Sequence, residues 1–456
     1  MFFIFMRTFQ DMPAEEGLPY GLGLLCRCTL PGESPVFSAL ARVFEGLLAY
    51  ELPAAVRAYH DATGAMLRAG DRRVSGDLWK DHLLCLAVHK NHAFARMAAA
   101  GGRDEALFAN MREELTVLGE LSRLRSEDVA RFAKERQQAL ASRPRQGKDP
   151  LSVVSTAVWA GANTRPLPRE EAEAAAPNPP PLAHARFAFT PWRYGAPGLA
   201  DSFAADEALE EIYLRLLAAK DWGEMTEDIY SFFGSYGSGV FLARRAFRLE
   251  EGTLSPLPDS VFAPLTPTSL YEPERIALME NTIRFMRGDP AQNALLWGGA
   301  GTGKTAHVLS LLHELPEVRL VLCRPEDRAG ILTLLSALAA QPLRFLLLLD
   351  DVVPESKALR TLSAALCGGL AQPQNVLLYA TAREAGPGPL PLFPLSLPFP
   401  YPDLAAFSRL VGELLEAEGL RADPQALRAA CVDYQVDARE RLAFPGAKML
   451  ADRFKV

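Results

Sequence analysis

The sequence predicts an α/β chain in three successive regions. Residues 1–250 read as mainly α-helical, 251–402 as a parallel sheet with interleaved helices, and 403–456 as a small helical segment. Three observations predict this. Apolar residues recur at three- and four-residue spacing through the first region. From about Leu265, short apolar runs alternate with helical patterns, as strands and crossover helices do in a parallel sheet. One of those runs leads directly into a glycine-rich loop and then a helix.

In the first region Val36, Phe37, Leu40, Val43, Phe44, Leu47 and Leu48 define an apolar helix face, and Phe108, Met111, Leu115 and Leu118 define another. Residues 143–150 are rich in loop formers, and a Pro-rich connector is expected near 165–182. Leu209, Ile212, Tyr213, Leu216 and Leu217 mark a further helix. The stretch 231–239 (Ser, Gly and aromatic residues) reads as a turn feeding a docking segment, and Pro256, Pro258, Pro264 and Pro267 as extended linker. The strand candidates are then 294–297, 318–323, 345–349 and 376–379.

Residues Gly298-Gly299-Ala300-Gly301-Thr302-Gly303-Lys304-Thr305 satisfy the pattern G-x-x-x-x-G-K-[ST]. Such a loop turns its backbone N–H groups inward around a phosphate, and glycine permits the dihedrals without a Cβ clash. Lys304 would supply a point charge to the β/γ oxygens and Thr305 a hydroxyl to Mg²⁺. The helix that follows would point its N-terminal dipole at the anion. The second half of such a site is an apolar strand ending in acid, and Phe345-Leu-Leu-Leu-Leu-Asp350-Asp351 has that form. Asp350 is the candidate metal carboxylate, acting through water, and Asp351 the candidate general base. Lys304 and Asp350 lie 46 positions apart, which leaves room for helix, strand, helix and strand, so Asp350 should end the third strand of the series. A further strand over 375–381, inserted between the first and third, would aim Thr381 at the γ-phosphate or its water. A guanine-reading N-K-x-D element is absent, which favours adenine.

On these residues the chain resembles the AAA+ superfamily of P-loop ATPases. Within that superfamily it resembles a bacterial family in which an α-helical N-terminal region precedes the P-loop module. Further points of resemblance are Asp81-His-Leu-Leu-Cys-Leu-Ala87, Gly234-Ser-Tyr-Gly-Ser-Gly-Val-Phe241, Arg245-Ala-Phe-Arg248 and Asn375-Val-Leu-Leu-Tyr-Ala-Thr381. The resemblance implies an α/β P-loop NTPase core with ATP and Mg²⁺ as ligands, held between the core and a C-terminal helical lid. It also implies ATP hydrolysis and assembly into a ring or partial ring, each site completed by a neighbour's arginine. The protein partner is left open. The sequence departs from the family pattern where relatives carry a Ser-Asn pair, since Ala382-Arg383 stand there. The family's inter-subunit arginine has no counterpart in residues 386–402, which contain no arginine. The lid arginine expected near 445–448 is also missing, with Lys448 in its place. Arg383 is a candidate substitute from a shifted position.

Composition narrows the alternatives. Lys+Arg number 48 against 55 Asp+Glu, a net charge of −7 that argues against non-specific nucleic-acid binding as the main task. At 49% apolar and 23% charged residues the chain is of globular type. Six scattered cysteines without a C-x-x-C pair argue against a disulfide scaffold or thiolate zinc site. No apolar run reaches membrane-spanning length, so a cytoplasmic protein is expected. His82, Cys85, His89 and His92 would share one face of an unbroken helix, but apolar packing explains that helix better than metal ligation. The basic stretch 123–145 is interleaved with Glu127, Asp128 and Glu135, as in a solvated helix with paired charges.

Overall fold

The computed structural model describes residues 34–88, 91–142, 189–194, 204–258, 264–368, 372–386, 388, 390–438 and 442–454. The apolar start at 1–6, Cys26, Cys28, His89 and the connector near 165–182 lie outside the described residues. The described chain forms two compact units. One comprises residues 34–88, 109–142, 189–194 and 213–226; the other comprises 91–108, 204–212 and 227–454.

The first unit is helical. Helices Pro35–Leu48 and Leu52–Arg68 each begin with proline in the first turn, where the missing N–H costs no bond. Val36, Phe37, Leu40, Val43, Phe44 and Leu47 are all buried, as their spacing predicts. Tyr59 stacks on Trp192 with ring centroids 5.3 Å apart. The buried Trp79 indole donates to the Leu121 carbonyl at 2.8 Å. His82 is held by Asp71, Nδ1 to Oδ2 at 2.7 Å, while in the other unit His92 caps helix Ala93–Ala99 by accepting from the Ala95 N–H. Among the described residues no three His, Cys, Asp or Glu side chains gather as metal ligands. The basic stretch pairs its charges locally, Arg123 with Glu120 and Arg131 with Asp128.

The second unit is built on a seven-stranded sheet. Its strands are β1 (Ala246–Glu250), β2 (Thr253–Pro256), β3 (Ala294–Gly298), β4 (Arg319–Cys323), β5 (Phe345–Val352), β6 (Val376–Ala382) and β7 (Leu395–Phe399). The order is β2-β1-β4-β5-β6-β3-β7, parallel throughout except for the antiparallel β1–β2 pair. β6 therefore lies between β5 and β3, the insertion expected from the sequence, and β5 is the third strand of the alternating series. Alternate residues feed opposite faces. Leu346, Leu348, Leu377 and Tyr379 pack with Val308, Leu311 and Phe285. Leu347, Leu349, Leu378 and Ala380 pack with Ile331, Leu335 and Leu362. Burial on both faces is why these strands read as continuous apolar runs.

Three strands were not expected. β1 and β2 form where the sequence reads as a docking segment and a linker, and β7 forms inside the Pro-rich run 386–402. β1 alternates buried residues with exposed Arg248 and Glu250, a weaker signal than a core strand gives. β7 is an edge strand bonded only to β3, so Pro398 removes no ladder bond that the sheet needs. Residues 231–236 also differ from the expected turn, because helix Thr226–Tyr236 runs through them. Ile229, Phe232 and Phe233 are buried at helical spacing, and that burial outweighs the local glycine and serines. The last three helices, Leu404–Ala417, Pro424–Ala438 and Phe444–Arg453, enclose their own core of Phe407, Leu410, Val411, Cys431 and Leu450. Among the described residues no helix is long and apolar enough to cross a membrane.

Candidate functional site

The site lies at the C-terminal ends of β3, β5 and β6, where a parallel sheet presents its ligand-facing edge. The loop at 298–303 leaves β3 and enters helix Lys304–Glu314 with Gly303 as N-cap at φ 92°. No acidic side chain occupies the first turn of that helix, so none of the helix's own carboxylates competes for its N-terminal N–H groups. Lys304 Nζ donates to the carbonyls of Gly298 at 2.8 Å and Gly299 at 2.7 Å. Thr302 is buried and ties the loop by donating to the Gly299 carbonyl at 2.9 Å; Ala300 is exposed.

Two glycines are required by close approach. Gly298 takes φ 150°, and a Cβ there would fall on the Phe399 carbonyl oxygen of β7. A Cβ on Gly299 would fall inside the Tyr401 ring. Beneath the loop His307 Nδ1 meets the Gly303 carbonyl at 2.8 Å, and its ring packs on Phe399 with centroids 5.0 Å apart. Burial pushes the His307 pKa down, only partly opposed by the Gly303 carbonyl, so the neutral ring with Nδ1–H donating is the form that fits. Tyr271 packs on Phe399 and donates to the Pro400 carbonyl. From the C-terminal helices, the Phe444 N–H donates to the Gly301 carbonyl at 3.1 Å.

Asp350 Oδ1 accepts from Thr305 Oγ1 at 2.8 Å and from Thr381 Oγ1 at 2.7 Å. The β5–β6 register shifts between Leu349 and Val352, and Asp351 takes the left-handed φ of 52°. That bulge turns the Asp351 N–H onto Thr381 Oγ1 at 2.8 Å. Thr381, 2% exposed, thus spends its donor on one aspartate and its acceptor on the next. The Asp351 carboxylate faces outward and is held by Arg383, with Nε to Oδ1 at 3.2 Å and Nη2 to Oδ2 at 3.1 Å. Burial pushes the Lys304 pKa down; Asp351 and then Asp350 oppose that shift, and Arg383 adds to it.

Lys304, Thr305, Asp350, Asp351 and Thr381, scattered over the sequence, therefore converge. Sequence reasoning missed the bracing by Tyr271, His307 and Tyr401 and the Phe444 contact. Only the aromatic residues flanked by prolines at 399–402 offered a signal for part of this. The loop, the helix after it and the aspartate strand end define an α/β P-loop core with helical flanks.

Residues 242–384 match the family described as "Protein of unknown function (DUF815)". No functionally curated protein matches the sequence. Among solved structures, the RuvB Holliday junction branch migration motor of Thermotoga maritima is 16% identical, covering 41% of this chain and 72% of that one at a TM-score of 0.29. The Orc1 protein of Aeropyrum pernix, solved in complex with DNA, is 19% identical, covering 43% of this chain and 68% of that one at a TM-score of 0.28.

Proposed function

We propose that this chain is an AAA+-type protein that binds ATP with Mg²⁺, turns it over slowly and couples nucleotide state to a protein partner engaged by its helical N-terminal region. Residues 251–402 would be the ATPase core and 403–456 the lid. Self-association would complete the assembly, and nucleic acid would not be its main partner. The observation that carries the reading is the linked set Thr305–Asp350–Thr381–Asp351 beside the Lys304 loop. The residues fit the ligand: glycine backbone packed where no side chain has room, an ammonium directed at the loop, and a hydroxyl and a carboxylate as hard oxygen donors. Thr305 and Asp350 would hold Mg²⁺, which when bound neutralises charge on the phosphate oxygens. Lys304 would exchange its loop carbonyls for phosphate oxygens. Asp351 would take a proton from water at its carboxylate, and Thr381 would keep the two aspartates in register.

Nucleotide titration with and without Mg²⁺ tests this. ATP affinity should rise with Mg²⁺ in the parent, and Asp350→Ala should remove that increment while leaving Mg²⁺-free binding in place. An Asp350→Ala protein with an unchanged Mg²⁺ response would refute the assignment.

A second reading, an ATP-occupied scaffold without turnover, is favoured by one observation. The candidate base Asp351 is tied at both carboxylate oxygens to Arg383. Single-turnover hydrolysis separates the two: the ATPase reading expects ADP to appear in the parent and to slow by about two orders of magnitude or more in Asp351→Asn.

A further inference from the structure

We propose that Arg383 is the γ-phosphate reader of this site, supplied by the same chain and exchanged between Asp351 and the terminal phosphate; this rests on the Mg·ATP reading above. Three observations place it. Ala382, the residue before it, pairs with Trp297, the residue before the loop, so the end of β6 puts Arg383 beside the start of the phosphate loop. Its guanidinium grips Asp351 through two nitrogens, the fork geometry that also suits a phosphate. Both side chains are exposed, 72% for Arg383 and 59% for Asp351, so the pair is a weak one that a doubly charged phosphoryl group can outbid. The sequence adds that residues 386–402 offer no other arginine.

The consequence is a competition. In the empty site Arg383 neutralises Asp351. With a triphosphate present, the guanidinium moves to the γ oxygens, and Asp351 is released to face water. A diphosphate has no γ oxygens and leaves the pair closed. Arg383 therefore sets the preference for triphosphate over diphosphate by trading Asp351 for the γ oxygens, without a contact to the β-phosphate. Truncating it leaves the core untouched, because it lies at the surface.

The test uses the full chain with Mg²⁺ and two probes, ADP and the non-hydrolysable β,γ-imido analogue of ATP, titrated calorimetrically. Arg383→Ala should lose about ten-fold or more of its affinity for the analogue while ADP affinity holds. Arg383→Lys should recover part of the loss, as a point charge without the fork. Asp351→Asn, which removes the competitor, should raise analogue affinity by up to about five-fold, the strength of an exposed pair. That gain should vanish in the Arg383→Ala background. A gain that survives there reflects only a lost negative charge and overturns the exchange. Equal losses for both probes in Arg383→Ala overturn it too, as does unchanged binding. A parent that takes up neither probe defeats the Mg·ATP reading itself, and the arginine proposal with it.

Discussion

Lys304→Met should weaken ATP binding by roughly ten- to a hundred-fold and leave the fold standing. The ammonium is the principal cation aimed at the loop, and losing a charge-assisted contact costs about 1.5–3 kcal/mol, a factor of roughly ten to a hundred in affinity. The folded state loses little in return. Burial holds the Lys304 pKa below its ordinary value, so the charged side chain costs stability at neutral pH. That cost is fully present below the folded pKa and fades as the pH rises toward the unfolded value, because the unfolded chain then binds the extra proton. Lys304→Met should therefore unfold in urea within about 1 kcal/mol of the parent, and should lose the parent's gain in stability at alkaline pH. Calorimetric titration beside urea unfolding checks both halves. Retained ATP affinity would contradict the role of the ammonium; collapse of the fold would mean that Lys304 braces the loop carbonyls rather than serving a ligand.

The contrast between what the sequence discloses and what it hides follows from how each feature is made. Central strands such as β5 and β6 are buried on both faces and carry unbroken apolar runs, so their existence and order could be read. The Gly298-to-Thr305 loop is contiguous, and spacing alone put Asp350 on the third strand of the alternating series. Edge elements carry mixed signals. β7 contains Pro398, β1 exposes Arg248 and Glu250, and both are recognised only once their neighbours are known. The same holds for long-range contacts. Arg383 lies 32 positions from Asp351, and the Phe444 N–H reaches back to Gly301, pairings that no local pattern encodes. The bulge that turns Asp351 outward likewise depends on Thr381 of the next strand.

Gly298 and Gly299 stand side by side, yet alanine at the two positions should behave differently, because the obstacles differ in kind. At Gly298 the obstacle is backbone. Residue 298 pairs with Phe399 in the β3–β7 ladder, and its φ of 150° is one that L side chains rarely adopt. A methyl group there must push the Phe399 carbonyl away, which breaks the ladder that positions the loop. Gly298→Ala should cost about 4 kcal/mol or more and remove nucleotide binding with it, since strain and lost ladder bonds add. No side-chain truncation can relieve a carbonyl. At Gly299 the obstacle is the Tyr401 ring. Gly299→Ala should displace that ring and weaken binding, and Tyr401→Ala added to it should restore binding to near that of Tyr401→Ala alone. Urea unfolding and ATP titration of these variants decide the matter. Rescue of Gly298→Ala by the Tyr401 truncation, or failure to rescue Gly299→Ala, would show that the loop is shaped by something other than these two contacts. The difference matters for the site, because one contact fixes where the loop leaves the sheet and the other controls how closely an aromatic ring can lie against the loop.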